Sequence, residues 1–456
     1  SIILPETLTY IGGYSLQKVN IEEFCPKNKV YIGAAAFAHS TLKKVVLPEG
    51  ITVIEPNTFY GCTLLEEVVL PTSLTKIDYS AFEQCTALKS ISIPEGVLIL
   101  GNASFQLCTS LEAVTLPSTL TEIASNAFKD CTSLKEITIP AATHTVQSSA
   151  FQGCTSLKKA TFLAKRATLG SYLFAQATAL ETLLLPQEQT SIPPYFCNEA
   201  TALKSVTIPA TVTDIYHHAF WKCTSLETVD FSGASIKLQE SCFAGCTALS
   251  TAKSAGALPK FDKNNFVDTP LLIEENGLCI VMGRLISVNQ SLLPSKVTIP
   301  STVTYINNHV FSYCDMLEEV ILLEGVTYIG EAAFANCYNL RCVTFPNTLT
   351  SLPNALFSGT NSLEQIVLGS GLEGIHETAL PLFGDWFVVI YNGTMEEWRA
   401  VEGHNCEAVA KREIRCLDGT IYGVAYKGEF SNVKVTLTTD GVLTFSGSGS
   451  ANISST

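Results

Sequence analysis

Three residue series run through the chain in one phase. Cys62, Cys85, Cys108, Cys131 and Cys154 follow one another at intervals of 23, and the count continues through Ala177, Ala200, Cys223, Cys246 and Thr269. Three residues later, a leucine series at the same interval runs from Leu65 to Leu272 and extends back to Leu42. Three residues earlier stand Phe59, Phe82, Phe105, Phe128, Phe151 and Phe174, then Phe196 one residue early, then Phe220, Phe243 and Phe266. Self-similarity at a fixed period of 20 to 50 residues means a solenoid, in which each repeat is one coil that buries its apolar edge only against its neighbours.

The pattern lapses between residues 273 and 316 and resumes at Phe311, Cys314 and Leu317, at Phe334, Cys337 and Leu340, and at Phe357, Thr360 and Leu363. A degenerate copy places Leu380, Phe383 and Trp386 in the three slots, giving fifteen anchors from Leu42 to Trp386. From Leu272 to Leu317 is 45 residues, one short of two periods, which predicts a modified coil there and not a linker.

Read from its anchor leucine, a coil has the form L-x-x-V-x-I-P, as in Leu134 to Pro140 or Leu203 to Pro209. Its alternation has the period of a strand. Proline cannot donate to a ladder, so its recurrence at one phase ends that strand. A shorter alternation follows, such as Leu120-Thr121-Glu122-Ile123, and predicts a second short strand. The Phe, Cys and Leu slots then fall at i, i+3 and i+6, the spacing of one face of a single helical or 3₁₀ turn. Stacked coils pair these strands in parallel at about 4.8 Å, with phenylalanine, leucine and cysteine in columns. The cysteine column reads as small apolar filler, because Ala177 and Ala200 replace it.

With 28 basic and 42 acidic residues the formal charge is −14, while 46% of residues are hydrophobic. Such a chain is not disordered. The acidic balance argues against nucleic acid or an anionic membrane as partner, since both demand clustered Lys and Arg. No stretch reaches 18 apolar residues, the length of a membrane span. The first residues already read as repeat and carry no export signal, which suggests a trimmed fragment.

Ala127-Phe128-Lys129-Asp130-Cys131-Thr132-Ser133-Leu134 and the run from Val297 to Ile306 resemble the BspA-type leucine-rich repeats of bacterial surface proteins. The segment Glu275 to Ile286 resembles the β-hairpin that often replaces one coil in that family, and Ile390 to Trp398 is similar to the segment that closes such arrays. Periodicity and resemblance together give a leucine-rich repeat solenoid, a β-rich right-handed α/β solenoid of 23-residue coils with a parallel sheet on one face. Expected boundaries are 1–391 for the solenoid, with irregular first coils at 1–41 and the hairpin coil at about 273–296, then 392–418 for a cap and 419–456 for a partial β-module. Thr394-Met395-Glu396-Glu397 has the form of a capping box, which predicts a short helix carrying Trp398 over the last coil. Trp386 is expected in cap packing as well. Asp440-Gly441 predicts a hairpin turn in the β-module.

Nine of the sixteen cysteines occupy the repeat slot and read as buried thiols. Among the others, Cys406 with Cys416 is the best candidate for a disulfide. No C-x-x-C, H-E-x-x-H, G-x-S-x-G, P-loop or G-x-G-x-x-G occurs, so the sequence offers no metal site, cofactor or catalytic motif. His218 and His309 share a phase and read as solvated surface. Paired acids such as Glu66-Glu67 and Glu318-Glu319 fall at outward strand positions.

Those outward positions are the surface on which solenoids commonly bind partners. They include Lys89, Glu112, Lys135, Glu136, Lys158, Lys159, Glu181, Lys204 and Glu227, read first as a solvated β-favouring face and alternatively as a binding face. The resemblance implies a non-catalytic, extracellular or cell-surface protein, monomeric, that adheres to a protein or glycan ligand, possibly of a host. A structural stalk or display scaffold fits the same sequence, and a surface hydrolase with its site in the hairpin or C-terminal region is the remaining alternative.

Overall fold

The computed structural model describes residues 5, 7–231, 236–254, 259–261, 263–381, 387–410, 412–422, 424–430, 433–438 and 442–447. The anchors Phe383 and Trp386 and the Asp440-Gly441 turn lie outside the described residues. The chain forms two compact units, Ser1–Leu271 and Leu272–Thr456.

Among the described residues of the first unit, successive coils contribute a first strand of two to four residues and, from Tyr10–Ile11 to Lys237–Leu238, a two-residue second strand. Neighbouring strands pair in parallel with a register of one repeat, as Glu136 opposite Lys159 and Ile137 opposite Ala160. The second strands from Val53–Ile54 to Thr168–Leu169 form one continuous six-stranded sheet. The first strands do not. Their ladder is interrupted between Glu67–Val69 and Ser90–Ser92, between Ala113–Thr115 and Glu136–Ile139, and between Thr182–Leu184 and Ser205–Ile208.

The segment carrying the Phe and Cys slots forms a 3₁₀ helix at Lys263–Phe266, and in the other described coils it is a chain of turns and not a helical turn. Two residues per coil take left-handed backbone conformations, for example Asn126 at φ 58° and Asp130 at φ 59°. Bonds within the coil, such as Lys129 N–H to Asn126 C=O, alternate with bonds to the next coil, such as Phe128 N–H to Ala150 C=O at 2.8 Å. Helical i, i+3 spacing therefore persists while half the donors are spent between coils. Coil stacking, and not helix formation, satisfies the backbone here.

Phenylalanine rings from Phe37 to Phe174 stack nearly parallel, with centroids 5.1 to 5.6 Å apart. The column turns at Phe196, which meets Phe174 edge to face at an interplanar angle of 87°. The bonding explains why. Phe128 N–H donates to Ala150 C=O, and in the same pattern Phe174 N–H donates to Phe196 C=O and Cys197 N–H to Ala219 C=O. Phe196 thus sits in the alanine slot and Cys197 in the phenylalanine slot. Chain register is unbroken; adjacent large and small side chains have exchanged places.

The cysteine slot is more than apolar filler. Cys131 Sγ donates to Phe105 C=O at 3.1 Å, Cys154 to Phe128 C=O at 3.2 Å and Cys108 to Phe82 C=O at 3.1 Å, each reaching one coil back. Thr360, in the same slot of the second unit, makes this bond to Phe334 C=O at 2.6 Å. Burial pushes the thiols of Cys108 and Cys154 up to about 12, so they remain protonated donors. All sixteen cysteines are free. The disulfide expected between Cys406 and Cys416 does not form. Cys406 lies in the turn preceding the helix Glu407–Ala410, whereas the extended strand Glu413–Cys416 carries Cys416 off along the sheet, each packed against the core separately.

The second unit opens with three antiparallel strands, Leu272–Glu275, Leu278–Val281 and Arg284–Val288, where the sequence suggests a hairpin. Asn276 and Gly277 have φ of 50° and 77°, and Met282 and Gly283 have 52° and 72°, the two consecutive positive values that tight two-residue hairpin turns require. The third strand joins the parallel column through Tyr305–Ile306. Thr394 accepts from Glu397 N–H while the Glu397 carboxylate accepts from Thr394 N–H, so the capping box is present on the helix Met395–Ala400. Trp398 is buried against Tyr391, their ring centroids 5.2 Å apart. The sheet continues through this cap, because Glu413–Cys416 pairs in parallel with Val388–Tyr391 and Gly419–Ile421 adds an antiparallel edge. Val424–Phe430, Val433–Thr438 and Leu443–Gly447 form a separate antiparallel sheet. Among the described residues no helix is long and apolar enough to cross a membrane.

Candidate functional site

Strand alternation in the first unit points the valine or isoleucine of each L-x-x-V-x-I inward and its neighbours outward. Ile91, Ile137 and Val206 are accordingly buried. Lys89, Glu112, Lys135, Lys158, Glu181, Lys204 and Glu227, in one column of successive coils, and Glu136 and Lys159 in the adjacent one, are all exposed. Lys135 Nζ lies 2.5 Å from Glu112 Oε2. Glu136 stands directly across the ladder from Lys159, yet no ion pair within 4 Å joins them. Both signs of charge are present, and among the described residues most of these side chains are solvated with no ion pair.

At one of the three interruptions of the first-strand ladder the face opens into a cleft. Where strands pair, the N–H beyond the first strand reaches the next coil: Leu47 donates to Val69 C=O and Ile93 to Thr115 C=O, both at 3.0 Å. At the interruption between Ala113–Thr115 and Glu136–Ile139, the corresponding bond from Leu116 N–H to Thr138 C=O is not made. The backbone bond from Lys135 N–H to Glu112 C=O, at 3.2 Å, and the ion pair between the same two side chains still tie the two coils at this edge. The strands part beyond it, and the inward residues Val114 and Leu116 become half-exposed.

The opening is a cleft of about 750 Å³. Val114, Leu116, Pro140 and Leu163 supply its apolar surface; Thr115, Ser118, Thr138 and the charged Glu95, Glu112, Lys135 and Glu136 supply the polar one. Glu95 is held in place by the turn of the following coil, accepting from Ser118 N–H at 3.0 Å and Ser118 Oγ at 2.9 Å. These bonds, led by the Ser118 N–H, keep its carboxyl below the usual range. The Lys135 ammonium hydrogen-bonded to Glu112 does the same for that carboxyl. Both groups are therefore ionised at neutral pH. A glycosidase acid needs the opposite shift.

The clamp at Glu95 recurs. Glu49 accepts from Thr72 and Ser73 N–H, and Glu324 from Asn347 and Thr348 N–H, in each case one coil on. Glu49, Glu95 and Glu324 all precede a glycine, and each clamp joins coils whose first strands are paired. Where the first-strand ladder opens after Glu67–Val69 and after Ala113–Thr115, the clamping position holds Thr72 and Ser118 instead. The clamp is not needed for pairing, however: Lys296–Ile299 pairs with Glu319–Leu322 although Pro300-Ser301-Thr302 follows it, so the alternation of P-E-G with P-T-S or P-S-T does not mark in the sequence where coils part.

Sequence reasoning placed Glu112, Lys135 and Glu136 on this face but missed Glu95, Val114, Leu116 and Leu163, which the parted strands bring beside them. Neither His218 nor His309 enters the cleft. His309 is exposed, whereas His218 is half-buried, stacked on Tyr195 with centroids 4.9 Å apart, so the solvated-surface expectation fails for His218. Glu67 and Glu319, members of the two paired-acid motifs, are ion-paired to Lys44 and Lys296 at 3.0 and 2.9 Å. Among the described residues no three metal-ligating side chains come together.

The model of the BspA type leucine rich repeat region matches the chain in six copies, over residues 1–108, 30–158, 75–197, 167–275 and 289–382. Among solved structures the chain is similar to a leucine-rich repeat protein from Bacteroides ovatus, at 20% identity over 90% of this chain and 92% of that one, with a TM-score of 0.37. It is similar to a leucine rich cell surface protein from Faecalibacterium prausnitzii, at 22% identity over 86% of each chain and a TM-score of 0.26. The pneumococcal vaccine antigen PcpA is 17% identical over 90% of this chain and 84% of its own, with a TM-score of 0.30. No curated protein matches the chain.

Proposed function

The chain belongs to the BspA-type leucine-rich repeat family, and on that footing we propose that it is a non-catalytic scaffold at the cell surface whose strand face binds a protein or glycan ligand. The observation that carries this reading is the cleft: a face serving only to be solvated has no need of an opening lined by both aliphatic and ionised side chains. Adhesion to a host macromolecule is the role that the extended, exposed column Lys89 to Glu227 suits best.

The test is a screen of the chain against host-protein and glycan arrays, repeated with the charge reversals Lys158→Glu, Lys159→Glu and Lys204→Glu. All three sites are exposed, so folding is unaffected. At least one ligand should change affinity, more so at low salt. If every ligand binds the variant as it binds the native chain, the strand face is the wrong surface. A stalk or display scaffold predicts that neither array retains the chain.

A further inference from the structure

We propose that the cleft between Ala113–Thr115 and Glu136–Ile139 receives an extended peptide segment that carries Lys or Arg side chains. This rests on the reading of the strand face as a binding surface and names the class of ligand.

Three independent features converge on that class. The first is backbone chemistry. Leu116 N–H and Thr138 C=O, which every regular seam would join, stand on opposite walls of the cleft without each other. Both residues line the cleft, so the C=O and N–H of an extended peptide laid along it can bond to these groups. A sugar hydroxyl could meet either group but has no reason to require both in this register.

The second feature is charge. The lining holds three carboxylates, Glu95, Glu112 and Glu136, against one ammonium, Lys135, so its formal charge is 1 − 3 = −2. Lys135 is already engaged by Glu112. Among the described residues no ion pair engages Glu136, although Lys159 sits opposite it in the ladder. An arriving cation therefore finds an uncommitted carboxylate beside a second one on the same edge, while an anionic ligand finds a surplus of its own sign.

The third is shape. The apolar part of the cleft, with Val114 and Leu116 half-exposed and Leu163 57% exposed, adjoins the carboxylates. Lys and Arg combine a long aliphatic stem with a charged end, and lay the stem on such a surface while the head reaches an acid.

The experiment measures fluorescence anisotropy of a labelled octapeptide alternating Thr and Arg, with the same peptide alternating Thr and Glu as control. A third peptide is the Thr-Arg sequence methylated at alternate backbone nitrogens, which removes its strand-forming donors. The Thr-Arg peptide should bind the native chain and weaken as salt rises. It should lose about tenfold or more in affinity to Glu112→Gln/Glu136→Gln, as expected when charge-assisted contacts go. Val114→Trp, which fills the cleft, should abolish binding, and the methylated peptide should bind more weakly than its parent. The Gln variants alter exposed side chains only and keep the test valid if Val114→Trp misfolds. Equal binding of the Thr-Glu peptide, affinity unchanged in the Gln variants, or no binding of the Thr-Arg peptide would each overturn the proposal. A ligand from the arrays that responds to Lys158→Glu and Lys159→Glu while the Thr-Arg peptide fails to bind would overturn it and leave the strand-face reading standing.

Discussion

Replacing Cys131 separates two accounts of the cysteine column. If the slot needs only small apolar volume, Ala should serve and Ser should be penalised for burying a hydroxyl. The structure argues the reverse. Cys131 is fully buried and its thiol donates to Phe105 C=O, a carbonyl that also accepts from Cys108 N–H at 3.2 Å. Removing the thiol thus leaves the carbonyl singly bonded and not orphaned, which limits the damage. Cys131→Ala loses the sulfur's packing and a weak hydrogen bond, together about 1–2 kcal/mol. Cys131→Ser keeps a donor in a slot where Thr360 shows that a hydroxyl reaches the equivalent carbonyl. Its stronger bond, worth about 1 kcal/mol net, offsets the greater cost of burying oxygen, so the variant should fall within about 1 kcal/mol of the native chain. Cys131→Val adds bulk with no donor and should cost about 1–3 kcal/mol from overpacking. Urea unfolding followed by far-ultraviolet circular dichroism gives the midpoint of each variant at constant slope. Because solenoids open coil by coil, amide exchange around residues 108–154 should follow the same order. A serine variant less stable than the alanine variant by more than about 1 kcal/mol would refute the donor account and restore the apolar one.

Two further outcomes are expected. The carboxyls of Glu49 and Glu95 are held below their ordinary range chiefly by backbone N–H groups of the next coil, so the folded state binds protons less readily there than the unfolded chain. Their contribution is then complete above the unfolded carboxylate range, about pH 4.5 and upward, and is lost as pH falls through the lower folded values. Glu49→Gln/Glu95→Gln should flatten the fall in urea midpoint between pH 6 and pH 3, and an unchanged acid slope would refute the clamp. The exchange of Phe196 and Cys197 predicts that Phe196→Ala/Cys197→Phe restores the stacked spine. The double variant should be more stable than Phe196→Ala alone, which loses about 3–5 kcal/mol of buried ring, and a double variant no better than the single would show that the slots are not interchangeable.

The anchors, the two strands per coil and the outward positions were legible because each depends on spacing along the chain. Strand alternation has period 2 and the coil has period 23, so side-chain direction follows from residue number alone. The capping box at Thr394 was legible for the same reason, its two bonds spanning three residues. The helical or 3₁₀ turn forms only at Lys263–Phe266 among the described coils, because i, i+3 spacing does not say whether an N–H is spent inside its coil or on the next. Phe196 looked like a slip of register, since a series of single positions cannot distinguish a shifted chain from two side chains that have traded volumes.

The sequence by itself determined that this is a solenoid, which side chains stack in its core, and which charges line its strand face. Only the tertiary structure decided that the face opens between Ala113–Thr115 and Glu136–Ile139, and that Glu95 and Leu163 stand beside Glu112 and Glu136 there. The physical reason lies in the scale of the difference. Coils in register all place the same groups at the same heights, whereas a ladder bond is made or lost over a few tenths of an ångström between neighbours. That separation is set by how two whole coils pack, and no residue within the strand encodes it.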